Sequence, residues 1–174
     1  MIHVTTTSAL CRAFIVAWEG GYRLQSYLCP AGYWTISAGV TRMPDGRKVK
    51  AGDQVSLAEA KALFETLLGR FEADVDAVTN DDITQAHFDA LVSFAWNLGV
   101  PNLASSTLLR LVNSMRSPTE IKLQFERWCF ADIDPDKPGL EKVPGLLRRR
   151  TAEATIYGWG RYEGPDGKPV RAET

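Results

Sequence analysis

What this chain lacks narrows the field first. It has three cysteines, Cys11, Cys29 and Cys129, in 174 residues. An odd, sparse set without metal-ligand spacing argues against a disulfide framework or a structural zinc, so reduced thiols are expected. His87 falls in the first turn of a predicted helix, fits no ligand pattern and reads as structural. No metal and no cofactor is expected. No run reaches the ~18 uncharged apolar residues of a membrane span, and the N-terminus lacks the basic region and long apolar core of a secretory signal. The expectation is synthesis in the cytoplasm without stable membrane insertion. Neither sign of charge is in excess: the formal net charge is −1, which argues against a dedicated nucleic-acid surface. Internal repeats and low-complexity tracts are absent as well.

What is present is a globular composition, 45% hydrophobic and 24% charged, enough for one sizeable core and a small satellite lobe. After Ser8, a good N-cap, Leu10, Ala13, Phe14, Ala17 and Trp18 recur at helical spacing, and Gly20-Gly21 stops the run. Glu19 therefore stands at a helix C-terminus. The unpaired carbonyls there disfavour a carboxylate, and Trp18 beside it can remove water. Both effects favour the protonated form that a general acid needs. A solvated glutamate at a frayed helix end is the alternative.

From Tyr27 to about Val49 the pattern is strand-like and short, with Trp34-Thr35-Ile36 rich in β-formers and Pro44-Asp45-Gly46 marking a tight turn. Beyond Gly52 the chain reads as helix. Ser56 and Glu59 form a capping box with Val55 at the staple position, and Leu57, Ala60, Leu63, Phe64, Leu67, Leu68 and Phe71 make one stripe. Phe88, Leu91, Val92, Ala95 and Trp96 predict a central buried helix from near Thr84 to Gly99, with Pro101 beyond. Further helices are predicted after Ser105-Ser106-Thr107, closing at Ser117-Pro118, then over 119–128, and, past a loop rich in Asp, Pro and Gly, over 146–157. Trp128 and Phe125 read as core. The Arg148-Arg149-Arg150 run reads most simply as a solvated helix face; pairing with Glu19, or attraction of an anionic polymer, is the alternative. The polar stretch from Gly164 to Thr174 is expected to be a mobile tail. The fold class expected is α+β, predominantly helical, within a single domain: an N-terminal helix and acid over 8–26, a small β-hairpin lobe over 27–54, an inter-lobe helix over 55–80, a helical lobe over 81–162 and the tail over 163–174.

These pieces, in this order, resemble the phage-type lysozymes, the muramidase family of the T-even and lambdoid phage endolysins. Glu19-Gly20, Tyr27, the Cys29-Pro30-Ala31-Gly32 turn and Trp34-Thr35-Ile36 resemble its active-site segment, and Gly52-Asp53 with the Ser56 cap resembles the start of its inter-lobe helix. The block from Phe88 through Trp96, Asn97 and Gly99 is the most specific. Ser106-Thr107-Leu108-Leu109, Arg127-Trp128 and Pro144-Gly145-Leu146 with Arg148-Arg149-Arg150 and Glu153 complete the likeness, which covers about residues 8 to 160.

The resemblance implies a lysozyme-like fold with a cleft between the lobes and cleavage of the bond between N-acetylmuramic acid and N-acetylglucosamine in bacterial peptidoglycan. On it, Glu19 is the general acid, Cys29 occupies the family's second catalytic position, Thr35 holds the attacking water, and Trp96 and Asn97 contact sugar. Packing for Trp96 and a helix-end cap for Asn97 are the plainer readings. Glycoside hydrolysis ordinarily uses two carboxyl groups. With Cys29 at the second position, the thiol is a weak base, a nucleophile or a passive wall. The Glu19–Cys29 spacing is one residue longer than the family's, with Gly20-Gly21 the expected place to absorb it. Ser37-Ala38-Gly39-Val40-Thr41 also carries Val40 where the family has histidine. A lytic transglycosylase using a single Glu, and a degenerate peptidoglycan-binding relative, are the alternatives. The same resemblance implies a monomer held in the host cytoplasm until a holin-type pore releases it to the wall. A Cys11–Cys29 disulfide that blocks the cleft is a further conceivable arrangement.

Overall fold

The computed structural model describes residues 3–29, 32–80, 82–132 and 139–172. Pro30-Ala31 of the expected Cys29–Gly32 turn, most of the loop before residue 139 and the last two residues of the expected tail lie outside them. The architecture is α+β and predominantly helical. Helix α1 (Ala9–Trp18) is followed by the antiparallel pair β1 (Arg23–Leu28) and β2 (Trp34–Ser37), then α2 (Leu57–Asp76), α3 (Gln85–Leu98), α4 (Val100–Ala104), α5 (Thr107–Asn113) and α6 (Pro118–Glu126). A two-residue ladder of β3 (Phe130–Ala131) with β4 (Glu141–Lys142) precedes α7 (Pro144–Trp159).

Local chemistry sets most of these boundaries. Ser8 caps α1 by accepting from the Cys11 amide. At the other end the Gly21 amide donates to the Val16 carbonyl at 2.9 Å and the Gly20 amide to Ala17 at 3.2 Å, the paired bonds of a Schellman stop. Gly20 and Gly21 have φ of +81° and +90°, so both glycines are consumed by ending the helix. The register irregularity lies instead in β1, between Arg23, opposite Ser37, and Tyr27, opposite Thr35. Capping boxes at Ser56–Glu59, Thr84–His87 and Ser117–Glu120 start α2, α3 and α6.

Two apolar clusters follow. The large one centres on α3, whose residues 88–95 are all buried and which touches α1, α2, α4 and α7. The small one joins Ile36, Val40 and Val49 of the β lobe to Leu63 of α2, so α2 belongs to both.

Pro101 lies beyond α3, as expected, and opens a further helix: it sits in the first turn of α4, where its missing N–H costs nothing. Two expectations are corrected. The segment expected to be a mobile tail folds back as a hairpin. Gly164 and Lys168 pair, the Gly167 amide donates to the Gly164 carbonyl across a Pro165-Asp166 turn, and the Val170 amide donates to Tyr162. The Trp18 indole N–H anchors it by donating to the Glu163 carbonyl at 3.1 Å. The arginine run, too, is not a solvated face: Arg148 is exposed, but Arg149 is buried and Arg150 fully so. All three cysteines are thiols, and Cys11 is buried with its Sγ 3.4 Å from the Asp89 carbonyl, so no Cys11–Cys29 disulfide exists. Among the described residues no helix is long and apolar enough to cross a membrane.

Candidate active site

Glu19 is the C-cap of α1, in helical backbone at φ −83°, ψ −1°, so the Schellman stop sets where its side chain leaves the helix. That side chain is only 20% exposed. Oε1 accepts from Arg149 Nη1 of α7 at 2.7 Å. Oε2 points to the small lobe: a Cβ placed on Gly39 would lie 3.4 Å from it and 3.3 Å from Trp96 Nε1. Glu19 thus stands where the two clusters meet, one oxygen held by the helical lobe and the other turned to the β lobe. It is not a solvated side chain at a frayed end.

Arg149 reaches Glu19 from a buried polar group. Glu153, fully buried on α7, accepts through Oε1 from Ser93 Oγ at 2.8 Å, Arg150 Nη2 at 3.0 Å and Arg149 Nε at 3.4 Å. Arg150 also donates to Asn97 Oδ1 at 2.9 Å and lies over the Phe94 ring. Burial lowers the Arg150 guanidinium to about 10, opposed by the Glu153 charge and reinforced by Arg149. Sequence reasoning noted the Glu19 pairing only as an alternative and gave Glu153 no role. The available signal was the Arg149–Glu153 and Arg150–Glu153 spacing, which puts all three on one helical face.

Across the junction, Tyr27 of β1 pairs with Thr35 of β2 and shares its face of the ladder. The Tyr27 phenol is pushed up by burial and then by the charge of Glu19, with Arg23 opposing and Cys29 adding to the rise. Arg23 lies over the Tyr27 ring at 4.7 Å. Cys29 follows two residues later, half-buried, its amide donating to the Tyr33 carbonyl at 2.9 Å. Thr35 is buried and its hydroxyl donates to the same Tyr33 carbonyl at 3.0 Å. Cys29 and Thr35 are therefore tied to one carbonyl, and the Tyr27 phenol feels both Glu19 and Cys29. Trp96 packs its ring against Phe64 and Phe71, each at 5.2 Å between centroids, and turns its Nε1–Cζ2 edge to Gly39. The Asn97 carbonyl oxygen is committed to Arg150. Val40, where a histidine was expected, is core.

A model of the phage lysozyme family matches residues 17–153, from the last turn of α1 through Glu153. The chain belongs to that family. This member is 28% identical over 137 residues to the endolysin of Acyrthosiphon pisum secondary endosymbiont phage 1, covering 79% of this chain and 88% of that one. Among solved structures it is similar to the endolysin of Escherichia coli O157:H7 phage FAHEc1, with a TM-score of 0.81 at 27% identity over 92% of this chain and 98% of that one. It is also similar to the muramidase domain of SpmX from Asticaccaulis excentricus, with a TM-score of 0.73 at 30% identity over 87% and 97%. Family membership places this chain among the lysozyme-type peptidoglycan hydrolases.

Proposed function

We propose that this phage lysozyme family member hydrolyses the glycosidic bond between N-acetylmuramic acid and N-acetylglucosamine of peptidoglycan, with Glu19 as general acid, in the service of host-cell lysis. The observation that carries the reading is the unequal use of the two Glu19 oxygens. Oε1 is occupied by Arg149, which leaves Oε2, facing Gly39 and the Trp96 edge, to deliver a proton to the leaving oxygen. The muramidase named among the structural relatives supports the choice of bond.

Thr35 would orient the attacking water. Its hydroxyl proton goes to Tyr33, so what it offers water is a lone pair, and the water donates to it. Cys29, on the same face, takes the place where the second carboxyl of a glycosidase stands. Its thiol assists weakly or forms the wall of the site. Trp96 would meet sugar through its indole N–H rather than its ring face, and Asn97 through its amide NH2. The enzyme would act as a monomer that waits in the host cytoplasm for a pore in the membrane.

Purified peptidoglycan digested with the protein and separated by mass tests the reaction. Reducing-end muropeptides are expected. Anhydro-muramic products would replace hydrolysis with transglycosylation, a reading that the thiol in place of a second carboxyl favours, and intact glycan with retained binding would mean a binding module. Glu19→Gln should lower the rate at least about a hundredfold; full lysis by that variant would remove the acid assignment. If Cys29→Asp is faster and Cys29→Ser unchanged, the thiol is a weak substitute for a base; loss in both points to a nucleophile.

A further inference from the structure

Glu153 lies inside α7, fully buried, and takes no part in the reaction just described. One of its oxygens receives three donors, from Ser93, Arg149 and Arg150. Among the described residues, the other oxygen has no hydrogen-bond partner, and neither do Arg149 Nη2, Arg150 Nε or Arg150 Nη1. Buried charge with unfilled hydrogen-bonding capacity is a poor way to stabilise a fold, since well-packed apolar residues do as well or better. The group is nevertheless continuous with the site, because Arg149 spans it: Nε faces Glu153 at 3.4 Å while Nη1 holds Glu19 at 2.7 Å.

We propose that Glu153 is a positioning residue for the acid: it aims the Arg149 guanidinium at Glu19 Oε1 and offsets the positive charge of Arg149 and Arg150. The inference rests on the reading of Glu19 as general acid. Arg149 touches Glu19 and Arg150 shares the Glu153 carboxyl with it; without Glu153 their positive charge would act on Glu19 unopposed. A second carboxyl behind them reduces that attraction while leaving the Arg149 bond in place.

The charged and titratable groups around the pair are few. Arg149 and Arg150 face Glu153 from its own helix, and Ser93 and Asn97 complete the group from α3. From α1, the buried Cys11 thiol lies within electrostatic range; its pKa is raised well above the ordinary value by burial first and by Asp89, Glu153 and Glu72 next, with Arg12 opposing. In the β lobe the Tyr27 phenol feels the charge of Glu19, together with Arg23 and Cys29. Among the described residues, only Arg149 and Arg150 pair their charge with Glu153.

The test is the pH profile of kcat on peptidoglycan, whose alkaline limb reports loss of the acid's proton. Removing the negative charge with Glu153→Gln should move that limb about one unit toward acid. Arg150→Gln, which removes a cation, should move it toward alkali. The double variant, which removes one charge of each sign, should return it close to the parent position even though its thermal stability is not restored. A purely structural role predicts lower stability in all three with the limb unmoved, and that result would overturn the proposal. Should Glu153→Gln fail to fold, the opposite shift in Arg150→Gln and its reversal in the double variant decide the matter. Glu19→Gln serves as the separate control. Activity retained there sinks the underlying reading, whereas inactivity there with a fixed limb in the others sinks only the role of Glu153.

Discussion

At the scale of single residues, Gly39 has little room for a side chain. Its φ is +93°, and an added methyl would press on both Trp96 Nε1 and Glu19 Oε2 at 3.3–3.4 Å. Gly46 has a similar φ of +87° with nothing within 4 Å, so the two separate backbone strain from crowding. Gly39→Ala and Gly46→Ala should each cost about 1–2 kcal/mol of stability from the left-handed backbone. Only Gly39→Ala should lower kcat, by about tenfold or more, because it displaces the acid's outward oxygen. Thermal melts beside wall-lysis rates check both halves; equal activity in the two variants would contradict the placement of Glu19. The position of Glu19 was legible because Ser8, the apolar stripe and Gly20-Gly21 are all local signals. The burial of Arg149 and Arg150 was not, because three consecutive arginines carry no local mark of which face turns inward. Their partners Glu19 and Asn97 are 130 and 53 residues away.

At the scale of elements, α3 depends on an unusual cap. Thr84 accepts from the His87 amide, and the His87 ring reaches back to the Thr84 amide while stacking on Tyr157 of α7 at 4.0 Å. Burial lowers the His87 pKa below its ordinary value. A base held neutral in the fold but free to protonate when unfolded gives stability that is complete above about pH 6.5 and is lost as pH falls through the lower folded value. The parent protein should therefore weaken as pH drops from about 6.5 to 5. His87→Gln, which keeps a capping side chain at that position, should flatten this slope while losing the stack; urea midpoints at the two pH values measure it. The elements also show how context alters one signal. Pro-Asp-Gly occurs at 44–46 and again at 165–167, and both make the same turn, with Gly46 donating to Met43 and Gly167 to Gly164. In the sequence the first reads as a turn because β-formers precede it, and the second as tail because its flanks are polar.

At the scale of the whole molecule, Asp89 joins segments from both ends of the chain. Buried on α3, it accepts from the Ser8 amide at 3.0 Å, Ser8 Oγ at 2.5 Å, Gln85 at 2.9 Å and Tyr162 Oη at 2.6 Å. Tyr162 precedes the C-terminal hairpin, so one carboxyl ties that hairpin and the start of α1 to the central helix. Burial, then the bond to Asp89, pushes the Tyr162 pKa far above its ordinary value, and burial raises Tyr157 to about 12. In the unfolded chain both titrate near ~10, so their contribution is intact below that pH and declines as pH rises above it. Chemical denaturation between pH 8 and 11 should show this fall. Tyr162→Phe should reduce the steepness of the fall and lower stability at pH 8 by about 1–3 kcal/mol, the cost of leaving a charged acceptor short of a donor. By itself the sequence determined the helices other than α4, most of their caps, the β lobe and the end of α1 that bears the acid, because period, capping and turn residues act within a few positions along the chain. Only tertiary structure decided that Arg149 holds Glu19, that Glu153 lies behind it and that the C-terminal segment closes on Trp18. The Glu19 and Trp18 contacts join residues 130 and 145 positions apart, and although Glu153 is four residues from Arg149, its burial exists only once α3 and α7 have packed together.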